Sequence, residues 1–323
     1  MKAQTAGIIG LEKVSASVGM ALRAADIGLE VIGTDRDRAI IREAVEIGAL
    51  DKGTRRPLEV ARVSDIVILS APVAEMDATL EIVGSNVREH TLIVDMSALK
   101  GRGLKLAEQH LHQGHYIGIS PVLTAAALAD GRADIGAARA DLFADSVFCI
   151  MPSGTADPEA VTTTVNLGRI LGATPFFLDP YEYDSLMLGV ETTPALVGAA
   201  LFRAVTQASG WRDMLRFAGS SFAMSTAGLE SENLGEMAYH DKAATLRWLD
   251  SVLEELQELR RWLADEDQER VSLILEEMAM ERQRWLHERQ ENNWVEIEKS
   301  DELGSIGVAG QLFGFGSRKK AKK

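Results

Sequence analysis

The loop Gly10-Leu11-Glu12-Lys13-Val14-Ser15 joins a short apolar run, Ala6–Gly10, to a stretch whose apolar residues recur at helical spacing. Asp35 ends the apolar run that comes next, Val31–Thr34. Strand, glycine turn, helix, second strand and acid, in that order, make the fingerprint of a dinucleotide site. The glycine permits a tight turn, and the free N–H groups at the helix start attract an anion. A carboxylate placed as Asp35 is can accept hydrogen bonds from a ribose. The expected contacts are therefore Gly10, Leu11, Glu12, Val14 and Asp35, with Arg36 beside it.

The phosphate pattern is incomplete. Of the three glycines in G-x-G-x-x-G only Gly10 is present; Glu12 and Ser15 hold the other two positions. Glu12 adds bulk and negative charge where a pyrophosphate docks, and Lys13 offers compensation. Asp35 favours NAD, because a carboxylate repels a 2′-phosphate. Arg36 and Arg38 keep NADP open, since a guanidinium can receive that phosphate.

Other reactive side chains carry less. Cys149, the one cysteine, sits in the apolar run Val147–Met151 and reads as a packed thiol. His110 and His112 point in different directions from one helix, and no metal site is expected around them or His115. Asp95 and Lys100 read equally as ligand contacts or as a strand end and a turn cap. Asp179, Glu182 and Asp184 read as helix caps. The Trp248, Trp262 and Trp285 series reads as helix packing.

These residues need a scaffold. The 323 residues allow two cores, with 46% hydrophobic and 25% charged residues. Up to Pro180, short apolar runs (66–69, 92–94, 115–119, 146–150, 174–178) alternate with helical patterns. That grammar predicts a parallel sheet covered on both faces, a Rossmann-type α/β domain over 1–180. Strand signals then stop. Leu186–Gln207 is small and apolar, and Leu246, Leu249, Leu253, Leu256, Leu259 and Leu263 mark one face of a later helix. Residues 181–300 are expected to form an all-α dimerisation domain, with 301–323 a partly disordered tail. These are more apolar helix faces than a small domain buries, so a homodimer is expected. A net charge of −14 argues against nucleic-acid and anionic-lipid partners, although the chain ends in the basic Ser317–Lys323. No signal segment and no apolar run long enough for a bilayer are apparent, and a cytoplasmic location is expected.

Longer stretches resemble the prephenate/arogenate dehydrogenase family of tyrosine biosynthesis: GIIGLEKVSASVGMALRAADIGLEVIGTDRD at the start, SDIVILSAPV at 64–73, LIVDMSALKG at 92–101, YIGISP at 116–121, then ADLFADSVFCIMPSGTADPEAV, GATPFFLDPYEYDSLM and WRDMLRFAG in family order. The resemblance implies a Rossmann domain followed by a helical dimerisation domain. It also implies an NAD(P)-dependent oxidative decarboxylation of a small cyclohexadienyl substrate. Ser70, Ala71, Pro72 and Ser97 join the cofactor side, and Arg216 matches the substrate-binding arginine. Elsewhere this chain departs from the family. Ser120 stands at the catalytic histidine position, Ala98 at a substrate-orienting serine, and Thr192-Thr193-Pro194-Ala195 replaces a segment with two histidines. The alternative is a catalytically silenced relative, a nucleotide-sensing or scaffold dimer. A hydroxyacid or pyrroline-carboxylate type reductase fits the segment around 118–121 less well.

Overall fold

The computed structural model describes residues 3–291 apart from 129–131, 133 and 232. The tail expected at 301–323, with its basic end, lies outside the described residues.

The first part is a layered sheet and helix structure. In chain order it runs β1 (Thr5–Ile9), α1 (Lys13–Ala24), β2 (Glu30–Thr34), α2 (Arg38–Glu46), β3 (Lys52–Thr54), α3 (Pro57–Val63), β4 (Ile66–Leu69), α4 (Met76–Gly84), β5 (Leu92–Asp95) and α5 (Lys100–His110). It continues with β6 (His115–Pro121), α6 (Ala125–Leu128), β7 (Val147–Pro152), α7 (Pro158–Ile170) and β8 (Thr174–Phe177). The strands form one sheet in the order β3-β2-β1-β4-β5-β6-β7-β8. Alternation along β4 shows why both faces are covered. Ile66 and Ile68 enter one core with Ile8, Val18, Leu22 and Val94, while Val67 and Leu69 enter the other with Val60, Met76, Leu80 and Ile93. Strands buried on both sides read as unbroken apolar runs, as expected of a parallel sheet.

Two features differ from the sequence expectation. The sheet is not parallel throughout, because β6 and β7 pair antiparallel, with Ser120 opposite Cys149. The chain between them returns through α6 and a single turn at Ile135–Ala137 rather than through a long crossover helix, which reverses its direction. In addition, β3 is a three-residue edge strand, Lys52-Gly53-Thr54, too short and polar to show a strand period.

The helical part comprises α8 (Pro180–Met187), a π-turn at Leu188–Thr192, α9 (Thr193–Thr206), α10 (Trp211–Phe217), α11 (Ser220–Thr226), α12 (Leu234–His240), α13 (Lys242–Ala264) and α14 (Gln268–Glu291). The stretch Pro180–Thr206 is helical throughout and, by length and a mean hydropathy of 1.4, matches a membrane span, contrary to the sequence expectation that no run is long enough. The reason is continuity: the π-turn carries the helix through Leu188–Thr192 instead of breaking it. Its buried residues, among them Asp184, Thr192, Thr193 and Ala195, pack on protein. Trp248 closes on Gly189, where an added Cβ would lie 2.7 Å from the indole, in line with a packing role.

Candidate functional site

The strand order turns around between β1 and β4, and the loops after these two strands diverge there to leave a crevice at their carboxyl ends. Gly10 forms its floor. Its φ of 88° suits glycine, and a Cβ there would sit 1.9 Å from the Ser70 carbonyl oxygen. The expected contacts Leu11, Glu12, Val14, Asp35, Ser70, Ala71 and Pro72 all lie on the segments that follow β1, β2 and β4. Asp35 is tied into this loop: Oδ2 accepts the Leu11 N–H at 2.9 Å and Oδ1 the Asp37 N–H at 2.9 Å.

Glu12 and Ser15 show what replaces the missing glycines. Buried Ser15 accepts the Glu12 N–H on its Oγ at 2.9 Å, capping the start of α1. The Glu12 carboxylate reaches across the crevice and accepts the Ser70 hydroxyl proton at 2.7 Å. Lys13 does not bring the compensating charge there, since its buried side chain donates to the Arg132 carbonyl at 2.8 Å. Arg36 pairs with Glu75. The loop thus fits a dinucleotide at the floor and the ribose side, and opposes it at one point, Glu12.

A second, polar cluster lies where β5 and β6 meet α8. Asp95 is fully buried; its Oδ1 accepts the Ser97 N–H at 2.8 Å and its Oδ2 accepts Ser97 Oγ at 2.7 Å and the Tyr116 hydroxyl at 2.5 Å. Gly103 makes room for this, as a Cβ there would come within 2.2 Å of the Tyr116 oxygen. Lys100, also buried, donates to the carbonyls of Asp95 at 3.0 Å and Ser97 at 2.5 Å. Burial lowers the Lys100 pKa against the opposing pull of Asp95 and Asp184, and burial raises that of Tyr116 well above its ordinary value, with Asp95 adding to it. Asp95 thus ends β5 and Lys100 caps the turn that follows, as one of the two sequence readings has it, and one network joins them.

Asp184 links this network to the helical part. It caps α5, a helix 84 residues earlier in the chain, accepting the Lys100 N–H at 2.7 Å and the Gly101 N–H at 2.9 Å. Burial raises its pKa, which those two N–H groups and His240 oppose. His240 Nε2 stands 3.8 Å from Asp184 Oδ2. Asp179 caps its own helix, as the sequence suggests. Ser120 is held at 2.9 Å by the hydroxyl proton of Tyr183, whose pKa is raised by burial. Cys149, opposite Ser120, is buried and pushed up to about 11, again by burial.

Arg216 lies on α10 with its guanidinium outward, 3.5 Å from Asp213. Another cation near the end of the Ser120 strand is Arg289 of α14, which donates to the Leu123 carbonyl at 3.0 Å and interacts with Glu191. Sequence reasoning did not single out His240, Tyr183 or Arg289 as site residues. No local spacing marks them, because their partners lie on other elements.

The family pattern described as "Prephenate dehydrogenase, nucleotide-binding domain" matches residues 18–174, beginning just beyond the Gly10–Ser15 loop. No curated protein matches the chain. Among solved structures, prephenate dehydrogenase from A. aeolicus in complex with hydroxyphenyl propionate and NAD+ superimposes with a TM-score of 0.75 at 19% identity, covering 88% of this chain and 99% of that one. Synechocystis arogenate dehydrogenase gives a TM-score of 0.64 at 21% identity, covering 87% and 99%. At these identities the likeness establishes the fold: a Rossmann-like sheet domain followed by a helical region.

Proposed function

Because the chain belongs, through residues 18–174, to the prephenate dehydrogenase nucleotide-binding family, we propose that it is an NAD-dependent dehydrogenase of the prephenate/arogenate type. It acts on a small cyclohexadienyl carboxylate by oxidative decarboxylation, as a cytoplasmic homodimer. The observation that carries this reading is the crevice floor, where Gly10 passes under the Ser70 carbonyl too closely for any side chain. Such a glycine serves the tight turn between β1 and α1 that brings the helix start to a bound pyrophosphate. Gly10, Leu11 and Val14 would hold the dinucleotide from the loop, Asp35 the ribose, and Ser70-Ala71-Pro72 the opposite wall. When bound, the nicotinamide accepts a hydride. Asp35 supports NAD over NADP, and the pairing of Arg36 with Glu75 leaves that guanidinium less able to receive a 2′-phosphate.

The chain's own residues then have defined tasks. The Asp95–Ser97–Lys100–Tyr116 network holds the ends of β5 and β6 rigid. Ser120 and Tyr183 offer hydroxyls to a substrate oxygen; neither ionises near neutral pH, so they position and do not deprotonate. Arg289 supports carboxylate binding better than Arg216, whose guanidinium is turned to Asp213. The apolar faces left open on α9, α13 and α14 support the dimer.

The test is direct: purified protein is mixed with prephenate or arogenate and NAD or NADP, and reduced nicotinamide is followed. Turnover is expected with NAD on at least one substrate; none above background with either would sink the reading. One observation favours a second reading, a scaffold dimer without turnover: the Glu12–Ser70 bond spans the crevice where phosphates would lie. Absence of NAD binding by calorimetry would select it.

A further inference from the structure

The proposed reaction needs a proton acceptor for the substrate hydroxyl, and the carboxyl end of β6 presents Ser120, which does not ionise near neutral pH. We infer that His240, on α12, is that acceptor and that Asp184 is its positioning residue; the inference rests on the dehydrogenase reading above.

Three observations place His240. First, α12 lies across the carboxyl ends of the central strands. Met237 packs with Val73, which follows β4, and with Leu99 and Ala98, which follow β5. His240 comes three residues after Met237, hence on the same face of the helix. Second, Nε2 of His240 is 3.8 Å from Asp184 Oδ2, while both Asp184 oxygens are fixed by the first N–H groups of α5. A carboxylate held this way gives the imidazole a stationary partner at its Nε2 side. Third, about a third of the His240 side chain is open, so the ring is accessible to a ligand. Three other histidines sit differently. His90 and His115 line a cavity with Ala3 and Asp65 at the opposite end of the strands, and His110 pairs with Asp77 on the outer face of the sheet domain.

The step balances. The substrate O–H bond breaks and its proton moves to His240 Nδ1. The electron pair left on oxygen forms the second carbon–oxygen bond as hydride departs from that carbon to oxidised nicotinamide. The ring carboxylate then leaves as carbon dioxide, and the electron pair of its bond completes the aromatic ring. The proton on Nδ1 returns to the resulting phenolate, so the imidazole ends neutral and one carbon has been oxidised.

His240→Gln is expected to lower kcat at least 100-fold with KM within about threefold of wild type, since a positioned acid–base group contributes about 10²–10⁴-fold. His240→Ala should regain part of that loss in imidazole buffer, which no structural defect would do. In nucleotide-free protein, the ring resonances that vanish in His240→Gln should shift on addition of hydroxyphenyl propionate. In Asp184→Asn the same resonances should move before any ligand is added, while NAD affinity stays constant. Normal turnover in His240→Gln, or ring resonances indifferent to the ligand, overturns the assignment alone. Absence of turnover in the wild-type protein overturns it together with the dehydrogenase reading, so the two failures are told apart.

Discussion

The sheet domain and the helical region solve burial in opposite ways. All four residues of β4 and all four of β5 are buried, and helices of the same chain cover both faces of the sheet. In the helical region, α10, α11 and α14 contain no buried residue. On α13, Leu246, Leu253, Leu256 and Leu263 are each about half exposed or more, and the buried residues are Ala244, Thr245 and Trp262. Yet the helical region supplies Tyr183, Asp184, His240 and Arg289 to the site. A self-contained sheet can carry a nucleotide loop by itself. Side chains held by loosely buried helices stay in place only if something covers those helices, which ties the proposed dimer to the proposed chemistry.

The comparison can be broken most severely at Gly10. Gly10→Ala puts a methyl group into the Ser70 carbonyl at a φ that disfavours alanine. The expected loss is on the order of 3–5 kcal/mol, read as the midpoint of chemical denaturation. A change of under about 1 kcal/mol would mean the loop relaxes freely. Next comes the helical side. Leu253→Glu with Leu256→Glu should convert a dimer to monomers in sedimentation, with little effect on sheet-domain unfolding. An unchanged sedimentation coefficient would show that this face is not the interface.

A smaller effect is expected at Glu12. Glu12→Gly removes the carboxylate that bridges to Ser70 and should tighten NAD binding about tenfold, or about 1.4 kcal/mol, by calorimetry. Equal or weaker binding would show that Glu12 already turns aside. The smallest effect is in alkali. Burial raises Cys149 from 9.0 to about 11, so its contribution to stability is complete below pH 9 and is lost as pH rises through about 11. Cys149→Ala should flatten the fall of Tm across that interval. Raised Tyr116 and Tyr183 lose stability in the same direction above their ordinary value near 10, whereas the lowered Lys100 opposes them.

Much of the scaffold was legible because its causes are local. Apolar runs at 66–69 and 92–94 marked central strands, and Gly28, Gly48 and Gly172 each follow a helix with positive φ. β3 escaped notice because its pairing with β2, not its composition, makes it a strand. The antiparallel turn of β7 escaped because apolar runs carry no direction. The site divided in the same manner. Gly10 and Asp35 were readable from their spacing, while Asp184 read as a cap and proved to be one for a helix 84 residues away. His240 and Arg289 gave no signal.

By itself, then, the sequence determined the Rossmann grammar of the first half, the helical second half, and the presence of a carboxylate at the second glycine position. These follow from side-chain period, turn chemistry and residue type, all short-range along the chain. Only the tertiary structure decided where that carboxylate points, that Lys13 turns to Arg132, and which imidazole stands at the strand ends beside Asp184. Those contacts join residues 58, 119 and 56 positions apart, and packing brings them together without leaving a trace in local spacing.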